Sequence, residues 1–181
     1  MFRSLSRPVL CAAAALLLVP AGTALADEPR ELEWDDLIPE AFDFDDLFRD
    51  VDLDVDIDQL DDDDPRAIEA MEKVRDELDA APTVDTFDGQ RVRMPGFVVP
   101  LEGTRNQVTE FLLVPYFGAC IHVPPPPANQ IVYVTMEDEP ARIRGTFDTV
   151  WVTGVMHTER TRQEKGTAGY TIEAEEVAPY D

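Results

Sequence analysis

Short apolar runs, separated by turns that contain glycine or proline, make up the chain from Thr83 to its C-terminus. The runs of strand length are Arg91 to Pro100, Val108 to Tyr116, Gly118 to Val123, Gln130 to Met136, Phe147 to Met156 and Tyr170 to Val177. Many short strands joined by such turns are typical of all-β domains. Breaks at Pro95-Gly96 and at Gly145 predict bulges or bends. Residues 83–181 are therefore expected to form a mainly β domain, a small OB-like β-barrel of about six strands.

One amphipathic helix is expected to flank this barrel, over residues 65–82. Asp64-Pro65 is a typical helix start, with Asp as the N-cap and Pro at the first helical position. Apolar residues then recur at a spacing of three and four residues, at Ile68, Met71, Val74 and Leu78. This periodicity predicts a stripe that covers part of the sheet.

The first 26 residues have the pattern of a signal peptide. Arg3 and Arg7 form a basic start, an apolar run follows from Val9 to Val19, and Ala24-Leu25-Ala26 is a small-x-small cleavage pattern. The run is shorter than the roughly 20 apolar residues that a membrane-spanning helix needs. We therefore expect cleavage after Ala26 and a periplasmic or secreted protein without a membrane span. Lipidation at Cys11 is disfavoured, because almost no apolar core precedes that cysteine.

An acidic segment, residues 27–64, precedes the helix. Residues 27–83 carry 24 acidic and 5 basic residues, and the whole chain has a formal net charge of −23. Such a charge repels nucleic acid and anionic lipid. Trp34, Leu37 and Ile38 are expected to anchor the segment on the barrel, because disordered acidic tails hold few large apolar groups.

The stretch Val51 to Asp58 alternates strictly between apolar and acidic residues. Counted from Asp52 as an EF-hand calcium loop, it has Ile57 where Gly is required and Asp63 where Glu is required. An acidic linker is the favoured interpretation, because a block of like charges repels itself.

The stretch GACIHVPPPPANQ, residues 118–130, contains the scarcest reactive groups of the chain. Loss of Cys11 with the signal peptide leaves Cys120 without an intramolecular disulfide partner, which in an oxidising compartment indicates a ligand, a reactive thiol, a partner bond or simple burial. On an extended strand Cys120 and His122 face the same side, roughly 6.5–7 Å apart at Cα. With His157, the only other histidine, they form a candidate ligand set for zinc or copper. The alternative is architectural: a buried cysteine, with His122 bonded to backbone freed by the prolines.

The four prolines Pro124 to Pro127 favour a stiff polyproline II rod without N–H donors. One interpretation is a partner-docking edge, since such rods dock on aromatic surfaces. The favoured one is a connector that caps an edge strand. Asn129 and Gln130 are then expected to satisfy nearby carbonyls or to donate to a ligand.

Several strings resemble an exported bacterial family known as domain of unknown function 3299 (DUF3299). They are MPGFVVPLE, EFLLVPYFGACIHVPPPPANQIVYV, VWVTG and AGYTIEAEEV, together with WDDLIP near the mature N-terminus. The resemblance covers about residues 31–39 and 83–180. It implies an envelope protein with a transporter component as a partner and, by association, a link to metal handling. The resemblance does not indicate which reaction, if any, such a protein catalyses.

The leading hypothesis is a non-enzymatic periplasmic protein that binds zinc or copper, or assists its transport, through Cys120 and His122, with His157 as a further ligand. The alternative is a metal-free envelope module, structural or partner-binding, that uses the proline-rich edge. The third is a thiol-dependent enzyme with Cys120 as nucleophile. Catalysis is disfavoured because residues two apart on a strand rarely place a nucleophile and its base at about 3 Å.

Overall fold

Five strands close into a mixed barrel in the computed structural model, which describes residues 28–44, 63–119 and 125–180. The strands are β1 (Arg30–Glu31), β2 (Gln90–Thr104), β3 (Gln107–Val114), β4 (Val132–Met136), β5 (Ala141–Arg142), β6 (Thr149–His157), β7 (Thr161–Gln163), β8 (Gly166–Ala168) and β9 (Tyr170–Pro179). The barrel order is β2-β3-β4-β9-β6 and back to β2. Its β4–β9 pair is parallel, and its other four pairs are antiparallel. The predicted small, mainly β barrel with a flanking helix is confirmed.

The shorter strands extend this barrel without entering its closed ring. β1 adds in parallel to the edge of β2, β5 pairs with β3, and β7 and β8 form a separate hairpin before β9. Of the six predicted strands, the one at Gly118 to Val123 is not observed in its described part, because residues 117–119 form a turn. The strand predicted from Gln130 begins at Val132, because residues 128–130 form a 3₁₀ turn.

Of the bulge or bend predicted at Pro95-Gly96, the bulge is not observed. The β2–β6 register runs without a shift through Pro95 and Gly96, and the register shifts of β2 lie between Pro100 and Gly103. Gly96 is needed for packing, because a Cβ there would lie 2.6 Å from Cγ of Leu113. The bend predicted at Gly145 is observed.

Successive residues of β3 face two different cores. Phe111 and Leu113 point into the barrel, whose core also holds Leu37 from the N-terminal segment. Leu112 and Val114 point outward and pack in a second core, which also contains Val99, Ala119, Ile131 and Ala168. Because side chains alternate across a strand, β3 is buried on both faces. The second core therefore packs the turn at residues 117–119 and the β7–β8 hairpin against the outside of the barrel.

The N-terminal segment is anchored as predicted. Leu37 is fully buried, Trp34 is partly buried, and Ile38 is half-buried. The indole Nε1 of Trp34 donates to the carbonyl oxygen of Pro95 at 2.9 Å. The acidic segment is thus held to the barrel at residues 34–38, in the middle of its described part.

The helix α1 spans Pro65–Ala80, and the Asp64 side chain caps it by accepting from the backbone N of Arg66 at 2.9 Å. In the first half of the helix, the buried residues lie one position before those that the apolar spacing predicts. Ile68 and Met71 are exposed, whereas the buried residues are Ala67, Ala70, Val74 and Leu78. The helix α1 contacts β8 and the turn at residues 128–130. Among the described residues, no helix is both long and apolar enough to cross a membrane.

Candidate functional site

Two of the three predicted metal ligands, Cys120 and His122, lie outside the described residues. The aspartate-rich stretch Val51 to Asp58 also lies outside them. The metal-binding pair therefore stays a prediction. Within the described residues, no group of three or more His, Cys, Asp or Glu side chains is arranged to hold a metal ion.

His157 ends β6, and its side chain is 35 % exposed. Its Nδ1 lies 3.7 Å from Oδ1 of Asp88, and its Nε2 lies 3.8 Å from Oε2 of Glu173. The two ring nitrogens point in different directions, so the carboxylates flank the imidazole and do not share a common point with it. The described surroundings of His157 thus place two surface carboxylates on opposite sides of its ring. Whether His157 joins Cys120 and His122 stays untested.

The proline run leads directly into the 3₁₀ turn Ala128–Gln130, which ties three distant segments together. The Asn129 Nδ2 atom donates to the carbonyl oxygen of Pro82 at 3.0 Å, and the Gln130 Nε2 atom donates to that of Trp34 at 3.0 Å. The carbonyl oxygen of Ala128 accepts from the backbone N of Gly169 at 2.7 Å. The predicted role of Asn129 and Gln130 in satisfying nearby carbonyls is confirmed. The turn joins the N-terminal segment, the loop after α1 and the start of β9.

An open groove of about 800 Å³ lies beside the proline run. Four parts of the chain contribute to its lining: residues 38–44, Leu78 of α1, Tyr116 and residues 125–130. Pro126 and Pro127 are buried, and Phe42 packs against Leu78 and its neighbour Val74 on α1. The described prolines therefore form a wall of a groove rather than an exposed rod. We call this feature the proline groove.

The proline groove is lined mainly by apolar atoms. Its few polar groups offer more hydrogen-bond acceptors than donors. Glu40 and Asp43 supply carboxylates, and none of the described lining residues carries a positive charge. Both side-chain amides already donate within the protein, Asn129 Nδ2 to the carbonyl oxygen of Pro82 and Gln130 Nε2 to those of Trp34 and Asn129. Oδ1 of Asn129 finds no donor within the part of the chain that the structure describes, although this residue is fully buried. Among these carboxylate and amide side chains, hydrogen-bond acceptors therefore outnumber N–H donors.

The sequence did not predict the proline groove, because residues 38–44 lie more than 70 residues before Tyr116 and the prolines in the chain. The signal was nevertheless present, since the acidic N-terminal segment carries Phe42 and Phe44, two large apolar residues that an acidic tail does not need. Phe44 is 47 % exposed and Tyr116 is also 47 % exposed, so both present aromatic surface at the groove.

The fold and the groove define a small mixed β-barrel protein with an apolar concave surface at one side. Its sequence matches the family model "Protein of unknown function (DUF3299)" over residues 34–179, so the chain belongs to the DUF3299 family. It is similar to a solved structure, the crystal structure of a DUF3299 family protein from Pseudomonas aeruginosa PAO1. The two share 37% sequence identity and a TM-score of 0.60, over 84% of this chain and 97% of that chain. Among curated proteins, none matches. The predicted family resemblance is confirmed.

Proposed function

We propose that this chain is a non-enzymatic binding protein of the bacterial envelope, and that it holds the apolar part of a small amphiphilic molecule in the proline groove. The observation that carries the proposal is the groove itself, with its volume of about 800 Å³ and its walls of aromatic and proline side chains. Small-molecule sites are concave, mostly apolar and roughly 300–1,000 Å³ in volume. The groove has the dimensions and the lining of such a site.

The proline wall favours a small molecule over an added peptide strand. Proline has no N–H, so Pro125, Pro126 and Pro127 cannot donate the main-chain hydrogen bonds that hold an extended peptide along a strand edge. Their rings instead present a stiff apolar surface whose conformation is restricted before the ligand arrives. A preformed wall reduces the entropy that binding must overcome.

Tyr116→Asp is expected to weaken the binding of N-phenyl-1-naphthylamine, a neutral apolar dye whose fluorescence rises in apolar surroundings. The substitution removes an aromatic wall and places a carboxylate where the dye would desolvate it, so the dissociation constant should rise at least tenfold, a figure on the order of one buried aromatic contact. The measurement is a fluorescence titration of the mature chain.

Tyr180→Asp is the matched control. Tyr180 is 45 % exposed against 47 % for Tyr116, so the same substitution adds the same charge at the same degree of exposure but outside the proline groove. Tyr180 packs on Trp151 away from the proline groove, so the dissociation constant of this variant should stay within about twofold of the parent value. Equal weakening by both variants, or an unchanged affinity in Tyr116→Asp, would contradict the proposal.

The predicted export and metal binding are a second proposal, supported by the sequence pattern alone. We propose that the mature protein begins at Asp27, acts beside an envelope transporter component and binds zinc or copper through Cys120 and His122. Native mass spectrometry of the exported protein should then show Asp27 at the N-terminus and about one metal ion per chain, because thiolate and imidazole are preferred ligands of these ions. Cys120→Ser and His122→Ala should each lose the ion. Equal, substoichiometric metal in all three proteins would end the metal hypothesis.

A further inference from the structure

The hydrogen-bonding balance of the proline groove points to the kind of head group that its ligand carries. The side-chain amide donors of Asn129 and Gln130 are already bonded to main-chain carbonyls. The prolines of the wall contribute carbonyl acceptors and no donors. Oδ1 of Asn129 is a buried acceptor to which no described residue donates, which is an unfavourable state for an amide oxygen. These groups can therefore accept from a ligand more readily than donate to one.

The charge of the groove agrees with this balance. Glu40 and Asp43 line the groove, and the described lining contains no Lys, Arg or His. Carboxylates attract a cationic group and repel an anionic one, and the net charge of −23 adds a long-range term of the same sign.

On the basis of the proposed function, we infer that the ligand of the proline groove is a cationic amphiphile. Such a molecule has an apolar body that bears an ammonium group with N–H donors. The apolar body packs against Phe42, Tyr116 and the prolines. The ammonium group lies at the polar lining that Glu40 and Asn129 contribute. Asn129 is one of the lining residues, and its Oδ1 has no donor among the described residues, so an N–H of the ammonium group would supply the partner that this oxygen lacks.

The test compares four probes of equal chain length: octylammonium, octyltrimethylammonium, 1-octanol and octanoate. Each is titrated as a competitor of N-phenyl-1-naphthylamine on the mature chain, at one fixed ionic strength. Octylammonium should bind at least tenfold more tightly than 1-octanol, roughly the effect of a charge-assisted hydrogen bond. Octanoate should bind most weakly. Octyltrimethylammonium, which has the charge but no N–H, should fall between octylammonium and 1-octanol.

Two matched glutamate variants separate the groove from the overall charge. Glu40→Gln should weaken octylammonium about threefold, as expected for one exposed ion pair, and leave 1-octanol unchanged. Glu137→Gln removes the same charge from the exposed turn after β4, at the end of that strand away from Gln130, and should change neither affinity.

Binding of 1-octanol or octanoate as tight as that of octylammonium would overturn the inference. So would equal effects of the two glutamate variants, which would assign the preference to net charge. Equal affinities for octylammonium and octyltrimethylammonium would overturn the hydrogen-bonded head group. In each of these cases the dye still binds and the proposed function stands. Absence of dye binding to the parent protein would instead refute the proposed function.

Discussion

Gly154→Ala is expected to lower the free energy of unfolding by more than about 3 kcal/mol, as overpacking against immovable atoms does. A Cβ at position 154 would lie 2.2 Å from the carbonyl oxygen of Glu173 and 2.8 Å from the Cα of Ala174. Both are backbone atoms of β9, so no side-chain rotation can relieve the clash. The register of the β6–β9 pair shifts at this point, between Thr153 and Gly154. The alanine would therefore push apart two strands of the closed barrel.

Urea unfolding, followed by the fluorescence of Trp34 and Trp151, measures this loss. Gly89→Ala is the control, because a Cβ at Gly89 meets nothing within 4 Å and its φ of +70° carries only a conformational cost. That cost is on the order of 1–2 kcal/mol for a non-glycine residue in the left-handed region. If Gly154→Ala lost no more stability than Gly89→Ala, the close approach of β6 and β9 would be wrong.

Tyr170→Phe is expected to lower the free energy of unfolding by about 2–4 kcal/mol, because it leaves two polar groups without a partner. Tyr170 is fully buried, its hydroxyl donates to the carbonyl oxygen of Leu37 at 2.7 Å, and it accepts from the backbone N of Val84 at 2.7 Å. Burial raises the pKa of Tyr170 above its usual value, so the phenol stays protonated and continues to donate at neutral pH. One hydroxyl group thus joins β9 to the N-terminal segment and to the loop after α1.

The same substitution should weaken dye binding in the proline groove. Leu37 immediately precedes residues 38–44, which form one wall of the groove, so a loosened Leu37 carbonyl loosens that wall. Tyr133→Phe is the matched control. Its hydroxyl donates to Glu110 at 2.5 Å on a half-exposed surface, where water can replace it. Unfolding and dye titrations of the two variants check the prediction. Equal stability losses, or unchanged dye affinity in Tyr170→Phe, would contradict the joining role.

Local sequence patterns were sufficient where one short segment decides the structure. The Asp64-Pro65 start of α1, the burial of Leu37 and the bend at Gly145 were predicted correctly, because capping, large apolar side chains and glycine turns act within a few residues. The strand-rich pattern after Thr83 predicted a small barrel for the same reason. The family could also be identified from the sequence, since its strings are contiguous.

Features that depend on contact between two distant segments were predicted less well. The face of α1 was assigned to Ile68 and Met71, but it is Ala67 and Ala70 that are buried. Hydrophobicity ranks Ile and Met higher, but the packed position of the helix decides which face is buried, and that position depends on distant parts of the chain. Gly96 likewise indicated a bulge until its contact with Leu113, from another strand, was known.

By itself, the sequence determined the five strands of the closed barrel, the capped helix, the anchors in the acidic segment and membership of the DUF3299 family. Cys120 and His122 remain predicted ligands on that basis. Only the tertiary structure decided which residues meet: it placed His157 between Asp88 and Glu173, and it assembled the proline groove from residues 38–44, Tyr116 and residues 125–130. The physical reason is that cavities and ion pairs depend on the packing of segments far apart in the chain, which no local periodicity encodes.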